Sequence, residues 1–221
     1  GAALAVTPFI DCQILSATLL LAGGEDALAG AIARGEALVV TAIEEPQTRG
    51  DIAAIRARAA SVPGGWALTG SKIAIPFAAE ASDIILPARD ADGRLRLFAL
   101  PAPSLCGKLC AYRTIDDAPA ADLLLDGVWV DAASEIGGGC DAEAALAAAV
   151  EGAIAALCAE AAGLARILLD DTLSYTRQRR QFGQSLSSFQ ALQHRMVDML
   201  LMREQISAAA LLAALKPGDA R

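Results

Sequence analysis

Residues 175–200 read YTRQRRQFGQSLSSFQALQHRMVDML, and this stretch decides how the C-terminal part of the chain folds. Upstream of it, Leu146, Val150, Ile154, Leu157, Ala161, Leu164 and Leu168 step by three and four. That is the period of one apolar helix face, and it predicts a single long helix running to about Arg179. Gly183 permits a turn. Ser187 or Ser188 can cap a second helix, whose stripe is Phe189, Leu192, Met196 and Leu200 and which continues to about Leu215. KPGD at 216–219 then ends it. The expectation is a long helical hairpin with Arg177, Arg179 and Arg180 gathered at its joint.

Two readings of these arginines stand side by side. Basic residues in a last helical turn offset the negative end of the dipole, by about 0.3–1 kcal/mol each. Three of them exceed what that needs, and the chain leads at once into a new helix start. Guanidinium groups beside free N–H groups suit an anion, which they grip bidentately. A diphosphate-bearing cofactor would fit, with Phe182 over its apolar part. The spacing alone supports either.

Residues 8–35 read as one or two short helices broken at Gly23-Gly24. From Glu36 the texture changes to short apolar or alternating runs: ALVVTAI, WALTG, KIAI, DIILPAR, RLRLFAL and DLLLDGVWV. Turn-rich pieces such as VPGG and RDADGR separate them, which predicts an antiparallel sheet over 37–132. Trp66 and Trp129 are expected in its core. The fold class is α+β, with segregated layers: helical segment 1–36, an antiparallel barrel or sandwich 37–132, and helices over 138–221. GGG at 137–139 reads as a flexible joint. It carries neither GxGxxG after a strand nor GK[ST], so no Rossmann or P-loop site is supported.

Composition narrows the function classes. The 221 residues carry a formal net charge of −8, which argues against nucleic acid or an anionic membrane surface as partner. No uninterrupted apolar run reaches the roughly 20 residues of a membrane span. ILSATLLLAGG lacks the flanks of a signal peptide. The five cysteines (Cys12, Cys106, Cys110, Cys140 and Cys158) form no CxxC and have no histidine nearby, so no metal site is expected. Reduced thiols in a cytoplasmic protein are the plain expectation.

Tyr175-x-x-x-Arg179-x-Gln181-Phe182-Gly183, followed by Phe189-Gln190 and Asp198-Met199, resembles the hallmark of the acyl-CoA dehydrogenase family. TAIEEPQTRGD is similar to the family's first sheet segment, T-E-P-x-x-G-S-D. GWALTGSKIAIPFAAEASDIILPAR is similar to the segment W-x-L-x-G-x-K followed by A-D and A-R, and LLLDGVWV to the closing strand. The likeness runs through nearly the whole chain in the right order. It implies the tail of an N-terminal helical domain, a complete β domain and the first two helices of a C-terminal four-helix domain. It also implies that Arg179, Gln181 and Phe182, with Leu186, Phe189 and Gln190, bind the diphosphate and adenosine of FAD held by a neighbouring subunit.

The other half of the family's flavin site departs from the pattern. The resemblance places a threonine against the flavin pyrimidine where this chain has Glu44, and Gly50 replaces the serine of G-S-D. Positions implied to contact the flavin beside N5 are Ala74 and Pro76, and proline has no donor. No catalytic base is assigned: the family places one in later helices or at a position aligned with Ala153, and Glu151 on a helix faces elsewhere. Glu44 and Glu45 read as a structural or solvated pair, and His194 is given no role. LCAEAAGLA and SFQALQHR are similar to subunits of heterotetrameric steroid-degrading acyl-CoA dehydrogenases.

Three functions follow as expectations. The first is a non-catalytic subunit that completes its partner's FAD site in an enzyme oxidising a bulky acyl-CoA, with an electron-transfer flavoprotein as acceptor. The second is an ordinary homo-oligomeric acyl-CoA dehydrogenase with its base in a missing C-terminal segment. The third is a flavin-free structural homologue.

Overall fold

The computed structural model describes residues 6–137 and 141–215. Gly138, Gly139, Cys140 and the KPGD stop therefore lie outside the described residues. The chain divides into two compact units, one spanning Thr7–Ala153 and one taking in the chain from Ile154 onward.

The N-terminal unit begins with a π-helical segment, Phe9–Ser16, that passes directly into α1, Ala17–Ala22. Gly24, with φ +79°, makes the break before α2, Asp26–Ala33. Eight strands follow: β1 (Val39–Thr41), β2 (Arg58–Val62), β3 (Gly65–Pro76), β4 (Asp83–Arg89), β5 (Leu95–Pro101), β6 (Leu109–Arg113), β7 (Pro119–Asp131) and β8 (Glu135–Ile136). They form one sheet ordered β6-β7-β3-β2-β4-β5-β8, with β1 also paired to β4.

Two features differ from the all-antiparallel barrel or sandwich expected. β1 runs parallel to β4, with Val39 opposite Asp83, and β2 meets β4 in parallel at Arg58 and Arg89. The β2–β3 hairpin intervenes between β1 and β4, so the chain crosses over before pairing, which parallel strands require. Nor does the sheet close: its path ends at β6 and at the two-residue β8, with no pairing between them among the described residues.

Side chains alternate across this sheet and feed two cores. Val40, Ile84, Leu86, Phe98 and Leu100 join Leu68 and Ile75 of β3 and Leu123, Leu125 and Val130 of β7. Strands far apart on the path thus share one interior, and the sheet wraps around it. The intervening residues Val39, Ile85, Leu95 and Leu97 pack instead against Leu15, Leu19, Leu20 and Ile32 of the helices, with Leu146 and Ala149. β4 is consequently apolar on both faces, which explains the unbroken run Ile84-Ile85-Leu86. Trp66 packs against the first core, edge-on to Phe98 with centroids 5.8 Å apart and beneath the Arg96 guanidinium at 5.4 Å. Trp129, expected in the core, is 58% exposed. Its neighbour Val130 takes the inward position on β7, so the pleat turns the indole outward.

α3, Ala142–Gln178, is one uninterrupted helix of 37 residues. Its first turns belong to the N-terminal unit and the remainder to the C-terminal one. Within the latter, α4 spans Gln190–Leu215. Thr176 on α3 is buried; its Oγ1 donates to Thr172 O at 2.8 Å and lies 3.4 Å from Met196 Sδ on α4. Of the expected stripes, Leu146 is buried, but Ile154, Leu157 and Leu168 are about half exposed, as are Leu192 and Leu200 to a lesser degree; off the named stripe, Leu201, Met202, Leu211, Leu212 and Leu215 are exposed too. By length and composition alone α3 would also cross a membrane, since one 18-residue window within it has a mean hydropathy of 1.7. Glu151 and Glu160 interrupt that stretch, which is why no unbroken apolar run marks it.

Candidate functional site

The six residues singled out lie along the joint between the two long helices, where contacts link Arg179 to Leu186 and Phe182 to Phe189. α3 ends at Gln178, and a short hairpin follows: β9 (Arg180–Gln181) paired antiparallel to β10 (Gln184–Ser185). Its two-residue loop is Phe182-Gly183, with φ +54° and +80°. Positive φ at both positions is the type I′ geometry whose twist suits a tight hairpin. It suits Gly183, but a bulky side chain is strained there. Phe182 stands 91% exposed on this turn, edge-on to Phe189 with centroids 6.3 Å apart. Leu186 opens a 3₁₀ turn, Leu186–Ser188, and its N–H donates to Arg179 O at 2.9 Å. Arg179 N donates to Tyr175 O at 2.8 Å. Arg179 is thus locked by its main chain on both sides while its side chain stays exposed.

The serines do not cap α4 as expected. Ser188 Oγ donates to Ser185 O at 2.7 Å, and the Ser187 and Ser185 hydroxyls pair at 3.1 Å. The 3₁₀ turn consumes them, and α4 starts at Gln190 with Leu192 N and Gln193 N on Phe189 O.

The arginines divide their work. Arg177 lies in the last turn of α3, where it offsets the dipole. Arg180 Nη2 donates to Gly183 O at 3.0 Å and holds the hairpin. Arg179 has neither task. Among the described residues, none of the three forms an ion pair. An exposed, uncompensated guanidinium beside a helix start fits an anionic group such as a diphosphate, so the residues present suit this part of an FAD site.

The sheet positions are less accommodating. The Glu44 carboxylate accepts from Thr48 Oγ1 at 2.6 Å, with Gly50 N 3.4 Å away. That puts negative charge where the pattern has a neutral hydroxyl. Ala74 adopts φ +51° at a β3 irregularity, and its N–H is already engaged by Asp122 Oδ1 at 2.9 Å. Tyr112 OH donates to the same oxygen at 2.9 Å, and burial together with this carboxylate pushes the phenol's pKa up. Pro76 supplies no donor. Ala153 packs against the helical core and carries no carboxylate, and His194 is exposed.

Glu45 is structural, as the sequence suggested, but its partner was not foreseen. Lys72 Nζ donates to Glu45 Oε1 at 2.7 Å, and both side chains are buried. Arg56 N and Ala57 N donate to the same carboxylate at 2.8 and 3.1 Å. Burial pushes the Glu45 carboxyl up, but Lys72 and these N–H groups outweigh it and hold the pKa below its ordinary value. Burial lowers Lys72 against the pull of Glu45. A lysine in phase with inward Leu68 was the available signal.

Residues 144–220 match the family model "Acyl-CoA dehydrogenase, C-terminal domain". The probable acyl-CoA dehydrogenase YngJ of Bacillus subtilis is 30% identical over 178 residues, covering 77% of this chain and 47% of that protein. The chain thus spans about half the length of the curated relatives it matches. Among solved structures, glutaryl-CoA dehydrogenase from Mycobacterium smegmatis in complex with FADH2 superposes with a TM-score of 0.82 at 22% identity. The match covers 94% of this chain and 56% of that one. The Tcur3481-Tcur3483 steroid ACAD superposes with a TM-score of 0.78 at 28% identity, over 97% and 57%.

Proposed function

This chain belongs to the acyl-CoA dehydrogenase family, and on that premise we propose that it is a subunit completing the FAD site of a partner subunit while carrying no catalytic base of its own. The observation that carries the reading is Arg179, exposed, held by its main chain and without an ion pair among the described residues. Arg179 would hold the diphosphate, with Gln181, Phe182, Leu186, Phe189 and Gln190 around the adenosine side. When bound, FAD would supply the acceptor for a hydride leaving the acyl-CoA.

The chain's own sheet positions support the second half of the reading. A carboxylate at Glu44 repels a reduced, anionic flavin. At the N5-side positions, Ala74 N–H is engaged and Pro76 has none. The likeness to a two-component steroid ACAD favours a bulky acyl-CoA and a hetero-oligomer. An electron-transfer flavoprotein would be the acceptor.

The test is the visible flavin spectrum of the chain purified alone and together with its nearest homologous subunit, with and without Arg179→Ala. Flavin only in the complex, lost with Arg179→Ala, is the expected result. Flavin in the chain alone would establish a self-sufficient homo-oligomeric dehydrogenase, and no flavin under any pairing a structural homologue.

A further inference from the structure

The chain is acidic, yet one concavity on the N-terminal unit gathers three arginines. It measures about 410 Å³ and is bounded by Ile55, Arg56, Arg58, Arg89, Asp90 and Gly93. Arg56 and Arg58 flank the buried Ala57 at the entry to β2, and both are exposed. Extended backbone at this alternation sends the two side chains to the same side. Arg58 is also the Cα partner of Arg89 across the parallel β2–β4 contact. Like charges set directly opposite one another in a sheet repel, so this arrangement invites a counter-charge.

Among the described residues, that counter-charge reaches only one of the three. Arg89 Nη2 meets Glu143 at 3.0 Å, while its Nε and Nη1 donate to Ile55 O and Gly93 O. Asp90 is answered by Arg96 at 2.9 Å and by the N–H groups of Asp92 and Arg94. The nearby Asp51 carboxylate caps the turn at Ile52–Ala54. Arg56 and Arg58 form no ion pair among the described residues.

We propose that Arg56 and Arg58, backed by Arg89, form a binding site for the phosphate group of a small phosphate monoester. Two guanidinium forks match the charge of about −2 and the oxygen geometry of a phosphate near neutral pH. The concavity is larger than a phosphate alone, which leaves room for a short attached group. The site shares no residue with the Arg179 joint and does not depend on the flavin reading.

The experiment titrates the full chain with inorganic phosphate, glycerol 3-phosphate and glycerol, followed by ¹H–¹⁵N NMR shifts at constant ionic strength. Saturable shifts on residues 55–58 and 89–93 are expected, with glycerol 3-phosphate binding more tightly than phosphate and glycerol not at all. Equal affinity for the two phosphates would leave free phosphate as the ligand and overturn the monoester. Arg56→Gln with Arg58→Gln should weaken binding at least tenfold, whereas Arg179→Gln should leave these shifts unchanged. Should the double variant misfold, Arg58→Lys alone, which keeps the charge but loses the fork, should still weaken binding severalfold. Non-saturating shifts, or affinity indifferent to these changes, would overturn the proposal.

Discussion

Lys72 and Glu45 form an ion pair of 2.7 Å with side chains 0% and 3% exposed, tying the loop after β1 to the middle of β3. Two backbone N–H groups and the Gln47 side chain complete the carboxylate's shell. A charge so placed is tolerable only because its partner is present.

Removing one partner should therefore cost far more than exchanging both. Lys72→Met is expected to destabilise the N-terminal unit by about 3–5 kcal/mol, read as a fall in urea midpoint. Lys72→Met combined with Glu45→Leu should recover much of that loss. Equal losses in the single and double variants would show that the pair's charge is not what matters.

The same pair sets an acid limit. Glu45 titrates lower in the folded protein than in the unfolded chain, so the unfolded chain binds more protons in that window. The stabilisation is present above about pH 4.3, the ordinary glutamate value, and drains away as pH falls through the folded pKa. Circular dichroism against pH should show steeper acid unfolding for the native chain than for Glu45→Gln, measured relative to each protein's own stability at pH 7.

Phe182, exposed at positive φ, tests the proposed flavin site against local stability. Replacing it by asparagine, which tolerates positive φ, should raise the stability of the β9–β10 hairpin by about 1 kcal/mol. The same change should lower flavin content in the complex with a partner subunit. The two effects are read by thermal unfolding and by absorbance on the same samples.

Tyr112 offers a spectroscopic test of the strut across β6, β7 and β3. Its phenol is pushed up by burial and by the hydrogen bond to Asp122. Asp122→Asn should bring its ionisation to lower pH in an ultraviolet titration. A tyrosine whose pKa is raised by folding stabilises the fold below its unfolded pKa, and that contribution is lost as pH rises through the folded one.

What could be read from the amino acids was what neighbours in sequence decide. The 3.6-residue period placed α3 and α4, and Gly183 behind the arginines placed the joint, because turn chemistry is local. Strand partners are set at long range, so the parallel β1–β4 ladder and the open sheet were not visible in alternating runs. Trp129 illustrates the difficulty: one step along β7 decides whether an indole faces the core or water. The serine caps failed for a subtler reason, since Ser185, Ser187 and Ser188 could satisfy a 3₁₀ turn as readily as a helix end. Lys72 was given no role, because nothing nearby in the chain announces Glu45, 27 positions away.

β4 has partners along both edges and apolar neighbours on both faces, and Ile84, Ile85 and Leu86 have no exposed surface. Its amides can meet solvent deuterium only when the sheet around them comes apart. Their exchange rates should therefore clock the rarest opening of the N-terminal unit. The Gln181 and Gln184 amides, on an exposed two-residue ladder, should label within the dead time of the same experiment.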